Sequence, residues 1–140
     1  MFNQKIEIRL KDFILSGQFD CIKPGQTKEW ILSNFPDPDG FTPDFLRTDY
    51  PIWTYGDFEF HFNKKNELFL LFTERLDSPE AGESITLDKW FLVDYPNLTL
   101  DFVLAQLNNL ELDYHKTSDR FGVIVQIKSG VKFSFSKDPV

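Results

Sequence analysis

Between Ile52 and Phe72 (IWTYGDFEFHFNKKNELFLLF) the chain alternates between apolar and polar positions more regularly than anywhere else. Phe58, Phe60 and Phe62 interleave with Asp57, Glu59, His61 and Asn63, and a period of two puts three rings on one face and four polar groups on the other. Asn63-Lys64-Lys65-Asn66 supplies turn chemistry, because Asn tolerates positive φ, and Leu68 to Phe72 returns as a second strand. The pattern predicts a β-hairpin with one face in the core and the other in water.

Elsewhere the periods are shorter. Residues 5–15 fit two templates: Ile6, Ile8 and Leu10 alternate as in a strand, whereas Ile6, Leu10, Phe13 and Ile14 follow helical spacing. A helix accounts for the longer segment, and Ser16-Gly17 offers it a stop, so a helix is expected. After Phe19 to Ile22 and the turn Lys23 to Thr27, Thr27 is placed to cap a helix carrying Trp30, Ile31 and Phe35, which Pro36 ends. Pro36 to Tyr50 (PDPDGFTPDFLRTDY) reads as a long connection with one short helical turn around Asp44 to Arg47. Ile85 to Val93 suggests a short strand or two behind the polar loop Asp77 to Glu83. Thr99 then caps a helix through Phe102, Val103, Leu107 and Leu110, ending at Asn108-Asn109. Three strands follow, Leu110 to His115, Gly122 to Ile127 and Val131 to Phe135, the last two joined at Ser129-Gly130.

This order contains a weak internal repeat. Thr27 to Phe35 answers Thr99 to Leu107, and Phe60-His61-Phe62 answers Phe133-Ser134-Phe135, at offsets of 72 and 73. The expected fold is therefore α+β: one domain over residues 1–140, with an antiparallel sheet of about five to seven strands covered on one face by two or three helices. The tandem helix-plus-hairpin units span about 22–75 and 95–137, and their strands are expected to join into one sheet.

Composition narrows the class. With 140 residues the chain is long enough to bury roughly two-thirds of its unfolded surface, and sixteen Phe, three Trp and four Tyr make that core aromatic. At 26% charged residues and a mean hydropathy of -0.30, it reads as neither a disordered nor a membrane protein. The first residues, MFNQKIEIRLKDF, lack the apolar stretch of a secretory signal, and the single Cys21 excludes an intrachain disulfide; both point to the cytoplasm. A net charge of -7 disfavours nucleic acid, whose phosphates require clustered Lys and Arg; it either attracts a basic protein partner or simply keeps the chain in solution.

Chemistry is sparse. Asp37, Asp39 and Gly40 miss the ligand spacing of a calcium loop. His61 and His115 are too few for a zinc site unless Cys21 or carboxylates converge on them. Asp57, Glu59 and His61 share a strand face and could act as an acid–base cluster or simply be a solvated face. No nucleophile elbow, phosphate loop or paired-cysteine spacing is present, so neither catalysis nor a cofactor is expected. The candidate residues are instead partner-binding: Asp37, Asp39, Asp44 and Asp49 with the rings of Phe41 and Phe45 between them, then Asp57, Glu59 and His61. Either the two rings meet an apolar partner surface or they fold back onto the hairpin.

Several segments together resemble a known group. Ile22 to Thr27, Pro36-Asp37, the motif W-x-Y-G-D-x-E-F-x-F at Trp53 to Phe62, and Ser129-Gly130-Val131-x-Phe133-x-Phe135 resemble small bacterial cytosolic proteins, many of which are immunity proteins of contact-dependent and polymorphic toxin systems. The helix-then-hairpin layout is also similar to that of β-lactamase-inhibitor-like domains. The resemblance implies a protein that binds and neutralises a toxin domain without catalysis; the alternative is a cytosolic small-ligand-binding or structural module.

Overall fold

The order of elements follows from where the apolar period changes. The computed structural model describes residues 5–44, 47–75, 79–92 and 98–136, and between 42 and 51 the backbone alone. Both readings of the first segment are realised in turn. Ile6–Arg9 forms β1 and Leu10–Ser16 forms α1, so the expected continuous helix is corrected to a strand running straight into a helix. Ile8 needs the strand to be buried, while Leu10 and Ile14, four residues apart, need the helix. The chain then folds back through a bridge between Phe19 and Ile22, with Asp20 at φ 61.

Helix α2 (Lys28–Asn34) starts where the sequence places it, the Trp30 N–H donating to Thr27 Oγ1 at 3.1 Å. Beyond it lies a meander, β2 (Gly40–Asp44), β3 (Arg47–Tyr55), β4 (Phe58–Phe62) and β5 (Leu68–Thr73), each antiparallel to the next. This corrects two expectations. Most of the Pro36 to Tyr50 connection is strand, and Asp44 and Arg47, expected in a helical turn, pair across β2 and β3. Pro43 is compatible with this because β2 is an edge strand, where a missing N–H leaves no ladder bond broken. The expected hairpin is thus the second half of a four-stranded sheet, with Phe60 opposite Trp53 on one side and Leu71 on the other.

β6 (Ile85–Asp88) pairs in parallel with β1, Ile6 opposite Ile85, in a sheet of two strands. Helix α3 (Leu100–Asn109) is capped by Thr99, which accepts from the Phe102 N–H at 3.1 Å. It runs to Asn109, and the strand expected from Leu110 begins only at Tyr114. β7 (Tyr114–Ser118), β8 (Gly122–Ile127) and β9 (Lys132–Ser136) form a second antiparallel meander.

The fold is α+β, and the antiparallel strands lie in a four-stranded and a three-stranded sheet rather than in the single sheet expected. Helix α2 is followed by a meander of four strands (β2 to β5) and α3 by one of three (β7 to β9). Buried residues of α1, α2 and α3 (Leu10, Ile14, Ile31, Val103, Leu107) belong to one apolar cluster with Phe58, Phe60, Val125 and Phe133 of the two antiparallel sheets. Phe19 sits among the rings, its centroid 5.0 Å from Phe58 and 6.4 Å from both Phe35 and Phe60. A side-chain bond adds to this contact: Ser129 Oγ, at the β8–β9 turn, donates to the Ile14 carbonyl of α1 at 2.6 Å.

Candidate functional site

The segment that leaves α2 is held by side chains of the W-x-Y-G-D motif. Pro36 is buried, and its carbonyl accepts from the buried Tyr55 hydroxyl at 2.8 Å. Burial drives the Tyr55 pKa far above the usual phenol value, and the carboxylates of Asp37 and Asp39 push the same way. Three residues on, Asp39 reaches across the β3–β4 turn. Its Oδ2 accepts from the Gly56 N–H at 2.7 Å, and its Oδ1 receives a longer bond from the Glu83 N–H at 3.4 Å.

Asp57 fastens the same loop from the other side: its carboxylate accepts from the Glu80 N–H at 2.8 Å, and its own N–H donates to the Glu80 carbonyl at 2.8 Å. Glu80 is in turn joined to Lys89. The glycines are dictated by this crossing. Gly56 (φ 58) and Gly82 (φ 90) occupy the left-handed region, and a Cβ on Gly82 would overlap the Asp39 carboxylate. Two of the acids expected to face a partner therefore hold the segment 79–84 against the β3–β4 turn. At Tyr55, Gly56 and Asp57 the W-x-Y-G-D motif is a folding device.

The other candidates divide. Asp37 is half-buried beside Tyr55 and carries no hydrogen bond of its own among those described. Phe41 does not fold back fully: it pairs with Trp53, touches that ring edge-on at 6.3 Å, and remains 63% exposed on the edge strand β2. Phe45 lies outside the described residues, as do the side chains of Asp44 and Asp49. Glu59 and His61 do share the outer face of β4, 3.0 Å apart, but that face is only half open. The Phe72 ring lies 5.2 Å from the imidazole and that of Phe69 6.3 Å. The structure thus brings Asp37, Asp39, Phe41 and Asp57 around one end of the β3–β4 turn, but places Glu59 with His61 on the opposite face of the sheet, because Phe41 shares the core face with Trp53 and Phe60.

Sequence reasoning missed the exposed rings outside this region. Phe69 is 56% and Leu70 42% exposed on β5, and Phe121, beside Arg120 at the β7–β8 turn, is 71% exposed. The available signal was the unbroken apolar run Leu68 to Phe72, which lacks the alternation of a strand with one wet face. Charge is unevenly distributed along the chain. Residues 1–96 hold ten Lys and Arg against seventeen Asp and Glu, whereas residues 97–140 hold five of each, so the whole net charge of -7 belongs to the part that presents Phe41.

Among the described residues, no three His, Cys, Asp or Glu side chains gather as metal ligands. Cys21 is half-buried with its thiol 3.7 Å from the Asn34 carbonyl, and burial, with Asp20 beside it, pushes its pKa up to about 11. That is the opposite of what an activated nucleophile requires. A hollow of about 400 Å³ between β1 and α1 is lined by Glu7, Arg9, Asp12 and Asp20, with Arg9 and Asp12 paired at 3.0 Å across it. No helix among the described residues is long and apolar enough to cross a membrane. No protein-family model matches this chain, and neither a curated protein nor a solved structure matches it.

Proposed function

We propose that this chain is a non-catalytic, cytoplasmic binding module of the immunity type, which takes up a basic toxin domain and holds it inactive. The observation that carries the reading is Phe41, a largely exposed ring on a segment that is already fixed. Tyr55 and Asp39 tether that segment on either side of Asp37, so little conformational entropy remains to be lost when the ring enters a partner's pocket. The surplus of acids in residues 1–96 supplies long-range attraction to a basic partner, and the ring supplies local desolvation, a common division between association rate and hot-spot energy. Asp37 adjoins that ring, while Glu59 and His61 lie on the other face of the sheet and stand apart from it. Asp39 and Asp57 contribute by holding the shape of the surface.

The resemblance to immunity proteins supports the choice of partner, and on this reading the protein to test is the C-terminal domain of a large secreted protein encoded directly upstream. A titration of the purified pair at two salt concentrations is the experiment. Phe41→Ala is expected to weaken binding roughly thirtyfold, the equivalent of about 2 kcal/mol at a hot spot, while higher salt slows association of the wild type. An affinity indifferent to Phe41→Ala removes this surface from the interface. Failure of the wild type to bind or neutralise that toxin overturns the immunity reading.

A further inference from the structure

The two edges of the four-stranded sheet are built differently. β2 carries Pro43, which blunts its edge; β5 (LFLLFT) has neither proline nor lysine within it and reads as a strand meant to be covered on both faces. Its core face is covered, since Leu68 is buried and Leu71 lies opposite Phe60. Its outer face presents Leu70 and Phe72 beside the exposed Phe69, and no described strand pairs with it on the side away from β4.

That open edge is bounded at both ends. At the start, the Leu68 backbone is already used, its carbonyl accepting from Gly25 N–H at 2.7 Å and its N–H donating to Gln26 at 2.7 Å. At the finish, Thr73 Oγ1 accepts from the Arg75 N–H at 3.1 Å and the chain bends away. The remaining window is Phe69 to Thr73, centred on Leu71. We infer that a second copy of this chain occupies it, pairing β5 antiparallel to β5 about a two-fold axis at Leu71 and continuing the two four-stranded sheets into one of eight strands.

Two further observations select a second copy and this direction. A two-fold axis at Leu71 sets Leu70 opposite Phe72 of the other copy on the outer face, an apolar pair in register on each side of the axis, and sets Phe69 opposite Thr73. The ends of β5 also differ in charge: Lys23, Lys28, Lys64 and Lys65 outnumber Glu67 at its start, whereas Asp57 and Glu74 outnumber Arg75 at its finish. Antiparallel pairing lays each acidic end against the other copy's basic end, and parallel pairing would stack like on like. The inference is separate from the toxin-binding reading, because Phe41 lies on β2 at the opposite edge of the sheet.

Sedimentation velocity of the full chain over a range of concentrations tests it, with hydrogen exchange as the site-specific readout. The expected result is a reversible dimer of 16.5 kDa chains, with amides of residues 69–73 gaining protection as concentration rises. Phe69→Lys/Leu70→Lys should raise the dissociation constant at least about tenfold while leaving circular dichroism unchanged, and melting unchanged at concentrations low enough for both proteins to be monomeric. Glu74→Lys should also weaken the dimer, and Lys64→Glu/Lys65→Glu in the same chain should restore it. A wild type that stays monomeric throughout overturns the inference, as does a dimer indifferent to the two lysines at 69 and 70. Association of the wild type only with a different protein through residues 69–73 overturns it equally.

Discussion

Asp39→Ala separates holding the fold from touching a partner. In the structure the carboxylate accepts one short bond from Gly56 N–H at 2.7 Å and one long bond from Glu83 N–H at 3.4 Å. Bonds to a charged acceptor contribute about 1.5–3 kcal/mol each, and the low end applies because Asp39 is exposed and water can replace it. The 3.4 Å bond adds only a few tenths, so Asp39→Ala should cost about 2 kcal/mol. In urea, with a slope near 2 kcal/mol/M, that is a fall of about 1 M in the denaturation midpoint at unchanged slope. Asp39→Asn keeps one acceptor and loses the charge, so it should fall between Asp39→Ala and the wild type. Gly82→Ala provides the cross-check: its Cβ overlaps the Asp39 carboxylate, so it should destabilise the wild type by about 1 kcal/mol more than it destabilises Asp39→Ala. A midpoint unchanged in Asp39→Ala, or additive effects of the two substitutions, would refute the clamp.

Phe60 is fully buried with ring centroids of Tyr55 at 4.7 Å and Phe35 at 6.1 Å, so Phe60→Ala should cost about 3–5 kcal/mol by calorimetry or denaturant, from lost transfer energy plus a cavity. Thr27→Ala and Thr99→Ala each remove one capping bond of 3.1 Å and should each lower stability by about 1 kcal/mol, while the corresponding Ser variants retain most of it. Cys21, its pKa pushed up from 9.0 to about 11, should react with iodoacetamide at pH 9 roughly fiftyfold more slowly than the unfolded chain. Because the folded state holds the thiol proton more tightly, its contribution to stability is complete below pH 9 and is lost as pH rises toward 11; loss on the acid side instead would assign the effect to another group.

What the sequence determines by itself is local. Thr27 and Thr99 announce their helices because a side-chain oxygen three residues before a free N–H caps it wherever the helix packs. Phe58, Phe60 and Phe62 announce a buried face because a strand's period of two leaves no other arrangement, and the α+β class follows from such elements in order. Only the tertiary structure decides which strands become neighbours. Nothing in Ile6 to Arg9 indicates a parallel partner at Ile85 to Asp88, and Pro36 to Tyr50 reads as loop because its prolines are harmless only once β2 is known to lie at an edge. The site divides in the same way. An aspartate in sequence is only a charge, and whether it faces a partner or accepts from Gly56 and Glu83 depends on contacts with segments 17 and 44 residues away. Long-range pairing of that kind is chosen by what the whole chain can bury together, which is why the roles of Asp39 and Asp57 could not be read from the sequence.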